Sequence, residues 1–167
     1  MNILLGLGIG SYSFGKSFYP RSWNGSIKYF LNEKNGSSRA SNESSLMTTM
    51  KGGSGSYGCQ FDIFVKNQIT ILSIGIHTRT EGAIFVEVYT RIGSHIGYES
   101  RQSMWGKPIF QGNVVGMGLN IVTSLPQQSF TPIVVNSGQT QAFYIAVSKF
   151  EQLLFLFDDL HTLLINF

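Results

Sequence analysis

The residues whose types and spacing best match a known chemistry lie in Gly10 to Ser17, with the sequence G-S-Y-S-F-G-K-S. They satisfy the P-loop pattern G-x-x-x-x-G-K-[ST], in which backbone N–H groups cradle phosphates, Lys16 would reach the β- and γ-phosphates and Ser17 would bind magnesium. Such a loop must lead into a helix N-terminus, because the helix dipole and free N–H groups hold the anion. Here Pro20 and then Asn24-Gly25 would end any helix within about two turns. We therefore expect a Gly/Ser loop that leads into a strand, and treat a P-loop nucleotide-binding protein as a rejected alternative.

Other residue types that carry chemistry are scattered. The histidines at 77, 95 and 161 lack metal-ligand spacing, and we expect His77 to be a polar residue at the end of a strand. Asp158-Asp159, the one adjacent acidic pair, is typical of a solvated turn. Cys59 is the only cysteine, so neither an intrachain disulfide nor a Cys-based zinc site can form, and a buried thiol is expected. These observations predict a protein without catalytic residues, metal or cofactor.

The best candidates for ligand contact lie in the long connection at residues 92–106. Exposed aromatic residues on loops at the end of a β-sandwich are a plausible ligand surface. The alternative is that the two aromatic residues of this loop fold back and cap the core. The candidate ligand-binding residues are Tyr98, Glu99, Arg101 and Trp105.

Composition limits the class of protein. The chain has 167 residues, of which 43% are hydrophobic and 13% charged, so it can bury a core and relies on neutral polar residues for solubility. The net charge of +3 comes without a Lys/Arg cluster of the kind that phosphate binding needs, which argues against nucleic acid as a partner. No apolar run is long enough for a transmembrane helix, and the N-terminal residues make a poor signal peptide.

Strand patterns dominate the middle of the chain. Residues 61–91 contain three runs rich in Ile, Val, Phe, Tyr and Thr, separated by short polar turns, which predicts a three-strand meander. The middle run is apolar on both faces over part of its length, as in a strand that is covered on both sides. Residues 130–148 predict a hairpin closed by Asn136-Ser137-Gly138. The tail from residue 150 to 167 fits either two short strands or a terminal helix.

These patterns divide the chain into three stretches. Residues 57–167 form the predicted sandwich domain. Residues 32–56 are polar and without periodicity, which is typical of a flexible linker. Residues 1–31 contribute strands. Three N-x-[ST] sequons, at Asn24, Asn35 and Asn42, matter only if the chain is secreted.

A resemblance refines this interpretation. The segments G-C-Q-F-D-I-F-V, I-T-I-L-S-I-G-I-H-T, V-E-V-Y-T-R-I-G-S-H-I-G-Y-E-S and I-V-V-N-S-G-Q-T-Q-A-F-Y-I-A, with Trp105, follow one another between Cys59 and Ser148. In this order they resemble a β-sandwich module found, often in tandem, in secreted or surface proteins of microalgae and bacteria. The segment S-F-G-K-S-F-Y-P-R-S-W-N-G-S-I-K-Y resembles the closing strand region of that module. Because no second copy of P-R-x-W-N-G follows, residues 1–31 are interpreted as the closing strand region of a preceding or permuted repeat.

The sequence thus predicts an all-β protein, an antiparallel β-sandwich of jelly-roll type. The strand order also resembles, more distantly, the jelly-roll substrate-binding domain of the Pam/Highwire family. The resemblance implies a non-catalytic binding or structural module, extracellular or on the cell surface, with a glycan or protein as ligand. The alternative is an intracellular protein-interaction adaptor. The oligomeric state is left open.

Overall fold

A computed structural model describes residues 1–4, 6–31, 43–50, 54–148, 153–155 and 163–164. These residues form fifteen strands and one turn of 3₁₀ helix at Gln102–Met104. No helix in these ranges is long and apolar enough to cross a bilayer. The strands are β1 Asn2–Ile3, β2 Gly6–Ile9, β3 Ser17–Arg21, β4 Gly25–Leu31, β5 Glu43–Met47, β6 Ser54–Ser56, β7 Gly58–Phe64, β8 Ile69–Ile76, β9 Glu81–Ile92, β10 Phe110–Met117, β11 Thr123–Ser124, β12 Ile133–Val135, β13 Thr140–Val147, β14 Leu153–Phe155 and β15 Leu163–Leu164.

Two antiparallel sheets pack face to face, which confirms the predicted β-sandwich. The first sheet has the order β10-β9-β13-β7-β1-β15, with β2 paired to β7 and β3 paired to β2. The second sheet has the order β11-β8-β4-β5, with β12 also paired to β8. Between β7 and β13 the chain crosses repeatedly from one sheet to the other, as a jelly-roll type of sandwich requires.

The main core lies between the sheets. Alternate residues of β7 and β9 face inward, and on β13 Phe143 and Ile145 do the same. The rings of Trp23 and Phe61 stack with centroids 4.7 Å apart, and Phe61 in turn stacks on Phe143 at 5.8 Å. Cys59 is buried in this core as a free thiol, and burial raises its pKa.

The outer face of the first sheet carries a second apolar group, the outer cluster, whose members come from β2, β9, β13 and the loop after β9. Phe14, from the β2–β3 turn, packs against Tyr144 with ring centroids 4.6 Å apart. The first sheet is therefore covered on both faces. The buried members of the outer cluster are Leu7, Ile9, Tyr89, Trp105, Ala142, Tyr144 and Ala146.

The predicted meander is wrong in its pairing, although all three of its strands exist. β7 pairs with β13 and with β1 and β2, β9 pairs with β10 and β13, and β8 lies in the second sheet beside β4. The apolar rows explain this arrangement. If β7 and β8 were paired, their inward-facing apolar side chains would lie side by side in one sheet. With the two strands in opposite sheets, these side chains face each other across the core.

The predicted hairpin at 130–148 is also wrong, because its two strands join different sheets. The turn itself is present: Gln139 N–H donates to Asn136 O at 2.9 Å, and Gly138 has φ of +76°. However, β12 pairs with β8 and β13 pairs with β7 and β9. Gly138 N–H donates to Val65 O, so the turn is anchored where β7 ends and the chain crosses between the sheets.

The N-terminal stretches belong to the same sandwich. β1 and β2 pair with β7, and β4 pairs with β8 over its whole length. Residues 43–47, within the stretch expected to be a linker, form β5 at the side of β4, while 32–42 and 51–53 lie outside the described residues. Of the tail, the described parts are two short strands, β14 on β6 and β15 on β1, which agrees with the strand alternative.

A core substitution in β4 tests whether residues 1–31 are integral to the sandwich. Ile27 is fully buried between the sheets and is paired with Ile74 of β8. We expect Ile27→Ala to lower the free energy of unfolding by about 3 kcal/mol, because the lost side chain leaves a cavity. Urea unfolding followed by tryptophan fluorescence measures it. Val134→Ala, at a half-exposed position of β12, is the control, and equal small losses in both variants would contradict the integral role of β4.

Candidate functional site

A buried carboxylate marks the outer face of the first sheet. On β7, Phe61 and Ile63 face the core, so Asp62 faces the opposite side, where the loop at 93–106 folds over it. The Asp62 residue is only 2% exposed. A buried charge is costly unless hydrogen bonds replace the lost water. The groups that contact Asp62 are therefore structurally required, and they define the candidate site.

The loop supplies three donors to this carboxylate. Oδ1 accepts from the backbone N–H of His95 at 2.9 Å and from His95 Nδ1–H at 2.8 Å. Oδ2 accepts from the Ser94 hydroxyl at 2.5 Å. Burial alone would raise the pKa of Asp62, but the hydrogen bonds from His95 and Ser94 outweigh burial and hold that pKa below its ordinary value. Asp62 is thus a fixed anion that orients the imidazole.

The other side of the imidazole meets Tyr19, which lies on β3. Tyr19 Oη is 3.2 Å from His95 Nε2, and the two rings are stacked at 25° with centroids 6.3 Å apart. The same hydroxyl lies 3.3 Å from Glu99 Oε1. Burial, together with the charge of Glu99, raises the pKa of Tyr19 to about 12. The phenol therefore stays protonated at neutral pH and acts as a donor.

Glu99 is fixed by its own neighbours. Its Oε1 accepts from the backbone N–H of Gly97 at 3.0 Å, and its backbone carbonyl accepts from Gln60 Nε2 at 2.8 Å. Burial opposes ionisation, but the hydrogen bonds from its own backbone, from Gly97 and from Tyr19 hold the pKa of Glu99 below its ordinary value. We call the chain formed by Asp62, Ser94, His95, Tyr19 and Glu99 the carboxylate–histidine network.

The network has part of the geometry of a hydrolase but not its nucleophile. In a Ser-His-Asp triad the carboxylate orients the imidazole and the serine hydroxyl contacts Nε2. Here Ser94 contacts the carboxylate instead, and the position at Nε2 is taken by Tyr19, whose raised pKa makes it a poor nucleophile. Through these contacts the arrangement holds the 93–106 loop and the β2–β3 hairpin together.

The four residues predicted to contact a ligand have different environments. Glu99 belongs to the network, and Arg101 is exposed. The guanidinium of Arg91 lies over the Tyr98 ring at 3.7 Å. Trp105 is 3% exposed, donates from Nε1 to Tyr98 O at 3.0 Å and packs on Tyr144. It therefore folds back as the alternative predicted, but onto the outer cluster and not onto the core between the sheets, and Tyr98 does not join it there.

Lys16 and Ser17 do not lie in the setting that a P-loop needs. Residues 10–16 connect the antiparallel strands β2 and β3, and Gly10 N–H donates to Lys16 O at 2.8 Å. Ser17 begins β3, so the loop leads directly into a strand and not into a helix. Lys16 Nζ lies 5.9 Å from the centroid of the Phe18 ring. The loop therefore lacks the helix N-terminus that would bind phosphate.

Little in the amino-acid sequence indicates the carboxylate–histidine network. Asp62 and His95 are 33 positions apart, and Tyr19 is a further 43 positions from Asp62. The one available signal is that Asp62 interrupts a strand whose neighbouring residues are all apolar or amide. Such a residue is expected on a solvated face, and only tertiary structure reveals that the loop covers it.

His77 corrects a second prediction. It is not a polar residue at a strand edge but is fully buried. Nε2 accepts from the backbone N–H of Asn120 at 3.0 Å, and Nδ1 lies 3.0 Å from Asn24 Nδ2. Burial and the charge of Arg79 lower its pKa. Asn24 is also buried, so its sequon is inaccessible in the folded chain, while Asn35 and Asn42 lie outside the described residues.

Comparison of this chain with protein-family models, with curated proteins and with solved structures found no match. Within the described residues, no group of three His, Cys, Asp or Glu side chains is arranged to hold a metal ion. The function therefore has to be inferred from the geometry of the chain itself.

The first prediction for the site concerns Asp62. We expect Asp62→Asn to lower the free energy of unfolding at pH 7 by about 2 kcal/mol, because charge-assisted hydrogen bonds from Ser94 and His95 are lost. Folding lowers the pKa of Asp62, so the ionised carboxylate stabilises the folded chain. This stabilisation is present above the unfolded-state pKa of about 4 and is lost as pH falls below that value. Urea unfolding from pH 7 to pH 2.5 measures this loss.

The matched control for Asp62 is Glu81→Gln, which removes an exposed carboxylate from the start of β9. Glu81→Gln should change stability by less than about 0.5 kcal/mol. Asp62→Asn should also show a smaller stability loss in acid than the parent chain. An unchanged acid dependence in Asp62→Asn would show that this carboxylate is not held below its ordinary pKa.

The second prediction concerns His77. Because folding lowers its pKa, the neutral ring is favoured in the folded state. The contribution of His77 to the free energy of unfolding is therefore complete above its unfolded-state pKa of about 6.5 and decreases as pH falls through that value. We expect His77→Gln, which cannot titrate, to show a flatter dependence of unfolding free energy between pH 7.5 and pH 5. If the dependence is the same in both chains, another histidine causes it.

Proposed function

We propose that this chain is a non-catalytic binding module, and that a protein partner docks on a surface formed by the β2–β3 hairpin and the 93–106 loop. The observation that carries the proposal is Tyr19. Its side chain is half exposed, yet its hydroxyl is held by the carboxylate–histidine network. An aromatic group that is fixed before binding loses little conformational entropy on binding, which favours affinity.

The β2–β3 hairpin and the 93–106 loop carry several large apolar side chains that are exposed. The hairpin and the loop are joined by the Phe14–Trp105 contact and by the Tyr19–His95 contact. Protein interfaces are enriched in Tyr, Phe and Met, and clustered exposed apolar side chains mark interaction sites. We call the exposed set the hairpin–loop surface; it consists of Tyr12, Phe18, Tyr19, Ile96 and Met104.

The geometry favours a protein over a glycan at this surface. Ile96 and Met104 are exposed, and neither side chain can form the hydrogen bonds that the hydroxyl groups of a sugar require. The hydroxyl of Tyr12 donates to Glu87 Oε2 at 2.8 Å, so this polar group too is already occupied. A partner with apolar side chains at its contact face would match the hairpin–loop surface.

The proposal includes the absence of catalysis and an extracellular or cell-surface location. The position of Ser94 on the carboxylate and the raised pKa of Tyr19 support the first. The resemblance to modules of secreted and surface proteins supports the second. Because Asn24 is buried, glycosylation at Asn35 or Asn42 in the native organism would be the informative sign of secretion.

Site-specific cross-linking tests the surface. A photo-reactive residue at position 96 should cross-link a protein from the native source, whereas the same residue at position 47, exposed on β5, should not. The recovered protein, once purified, should bind the parent chain at least about tenfold more tightly than Phe18→Ser or Tyr19→Ser, as at an interface hot spot. Equal cross-linking at both positions, or unchanged affinity in both variants, would contradict the proposal.

A further inference from the structure

The outer face of the second sheet contains a local irregularity where β4 meets β8. Lys28 is opposite Ser73, but the next residue, Tyr29, is opposite Ile71. Leu72 therefore has no partner on β4, which is the arrangement of a β-bulge. Bulges re-aim side chains and are over-represented next to functional sites. Here both Leu72 and Ser73 line a groove, which we call the bulge groove.

The segment at 126–132 forms the wall of this groove. Gln128 has φ of +59°, a left-handed conformation that is uncommon for a residue other than glycine. Backbone outliers of this kind cluster at ligand sites, and the inference runs from the outlier to the function. Gln127 and Gln128 both line the groove, together with Phe130 and Pro132.

The polar groups of the groove balance one another in charge. Lys28 Nζ lies 3.4 Å from Glu43 Oε1, and both side chains are half exposed. Ser73, Gln127 and Gln128 are neutral, and none of their side chains makes a hydrogen bond to another residue of the described ranges. The groove therefore offers both donors and acceptors without net charge. Its volume of about 360 Å³ falls within the range of small-ligand sites.

We propose that the bulge groove binds a neutral saccharide of one or two rings. Hydroxyl groups donate and accept, so they can pair with the amides, the Ser73 hydroxyl and the Lys28–Glu43 pair without disrupting it. Leu72, with the exposed Pro132, provides an apolar surface for the C–H face of a sugar ring, while Phe130 is buried in the core beneath them. An anion would have to compete with Glu43 for Lys28, and a cation would have to compete with Lys28 for Glu43.

This site is separate from the hairpin–loop surface, because it lies on the second sheet and shares no residue with it. The experiment uses the full chain with three neutral probes: cellobiose, maltose and lactose. Saturation-transfer-difference NMR detects binding, and isothermal titration calorimetry measures affinity. At least one probe should bind with a dissociation constant in the millimolar range or below.

Gln128→Gly is the most informative variant. Glycine adopts a positive φ freely, so the loop conformation is retained while the amide is removed. We expect affinity to fall about tenfold, the cost of a lost hydrogen bond to the ligand. Ser73→Ala should weaken binding in the same direction. The control is Asn113→Ala, which removes an exposed amide from β10 of the first sheet and should leave affinity unchanged.

Four outcomes would overturn the proposal. The first is no saturation transfer with any of the neutral probes at millimolar concentration. The second is binding that is unaffected by both Gln128→Gly and Ser73→Ala. The third is tighter binding of digalacturonic acid than of the neutral disaccharides, which would make the ligand an anion. Loss of saccharide binding in Ile96→Ser but not in Gln128→Gly would place the sugar on the hairpin–loop surface instead.

Discussion

Both faces of the first sheet carry buried apolar side chains, and the rest of the structure depends on covering both of them. The inner face is covered by the second sheet, as in any sandwich. On the outer face, Phe14 of the β2–β3 turn and Trp105 of the loop after β9 cover Tyr89 and Tyr144. Two irregular segments therefore carry out a packing role that regular elements usually perform. The β2–β3 turn is anchored by the pairing of β2 with β7, whereas the loop after β9 must be held in place without a strand ladder.

The carboxylate–histidine network meets that requirement. A loop held by exposed ion pairs would be weakly fixed, since surface pairs contribute little to stability. Asp62 is instead buried on the central strand β7 and pairs with side-chain and backbone donors of the loop at residues 94 and 95. His95 then extends the connection to Tyr19 on the hairpin. One buried anion thus fixes both covering segments, and the half-exposed Tyr19 ring becomes rigid as a consequence of this packing.

Local patterns predicted the strands well and their partners poorly. β7, β8 and β9 follow from alternation and β-branched content, and each lies close to its predicted range. Their partners are set by contacts between distant positions, such as Phe64 with Thr140, which no local pattern encodes. The Gly138 turn was predicted, but whether a turn closes a hairpin or carries the chain to the other sheet depends on what pairs with Val65. The left-handed Gln128 and the bulge at Leu72 likewise have no signature in the sequence.

The two candidate surfaces share a dependence on the N-terminal residues. β3 supplies Tyr19 to the hairpin–loop surface, and its partners His95 and Glu99 come from the loop after β9. β4 supplies Lys28 to the bulge groove, and the facing groups come from β8 and from the segment at 126–132. Each surface therefore exists only when residues 1–31 are paired with strands of the segment from 57 to 148. A ligand that bound either surface would stabilise that pairing, because it would bind the folded chain and not the separated segments.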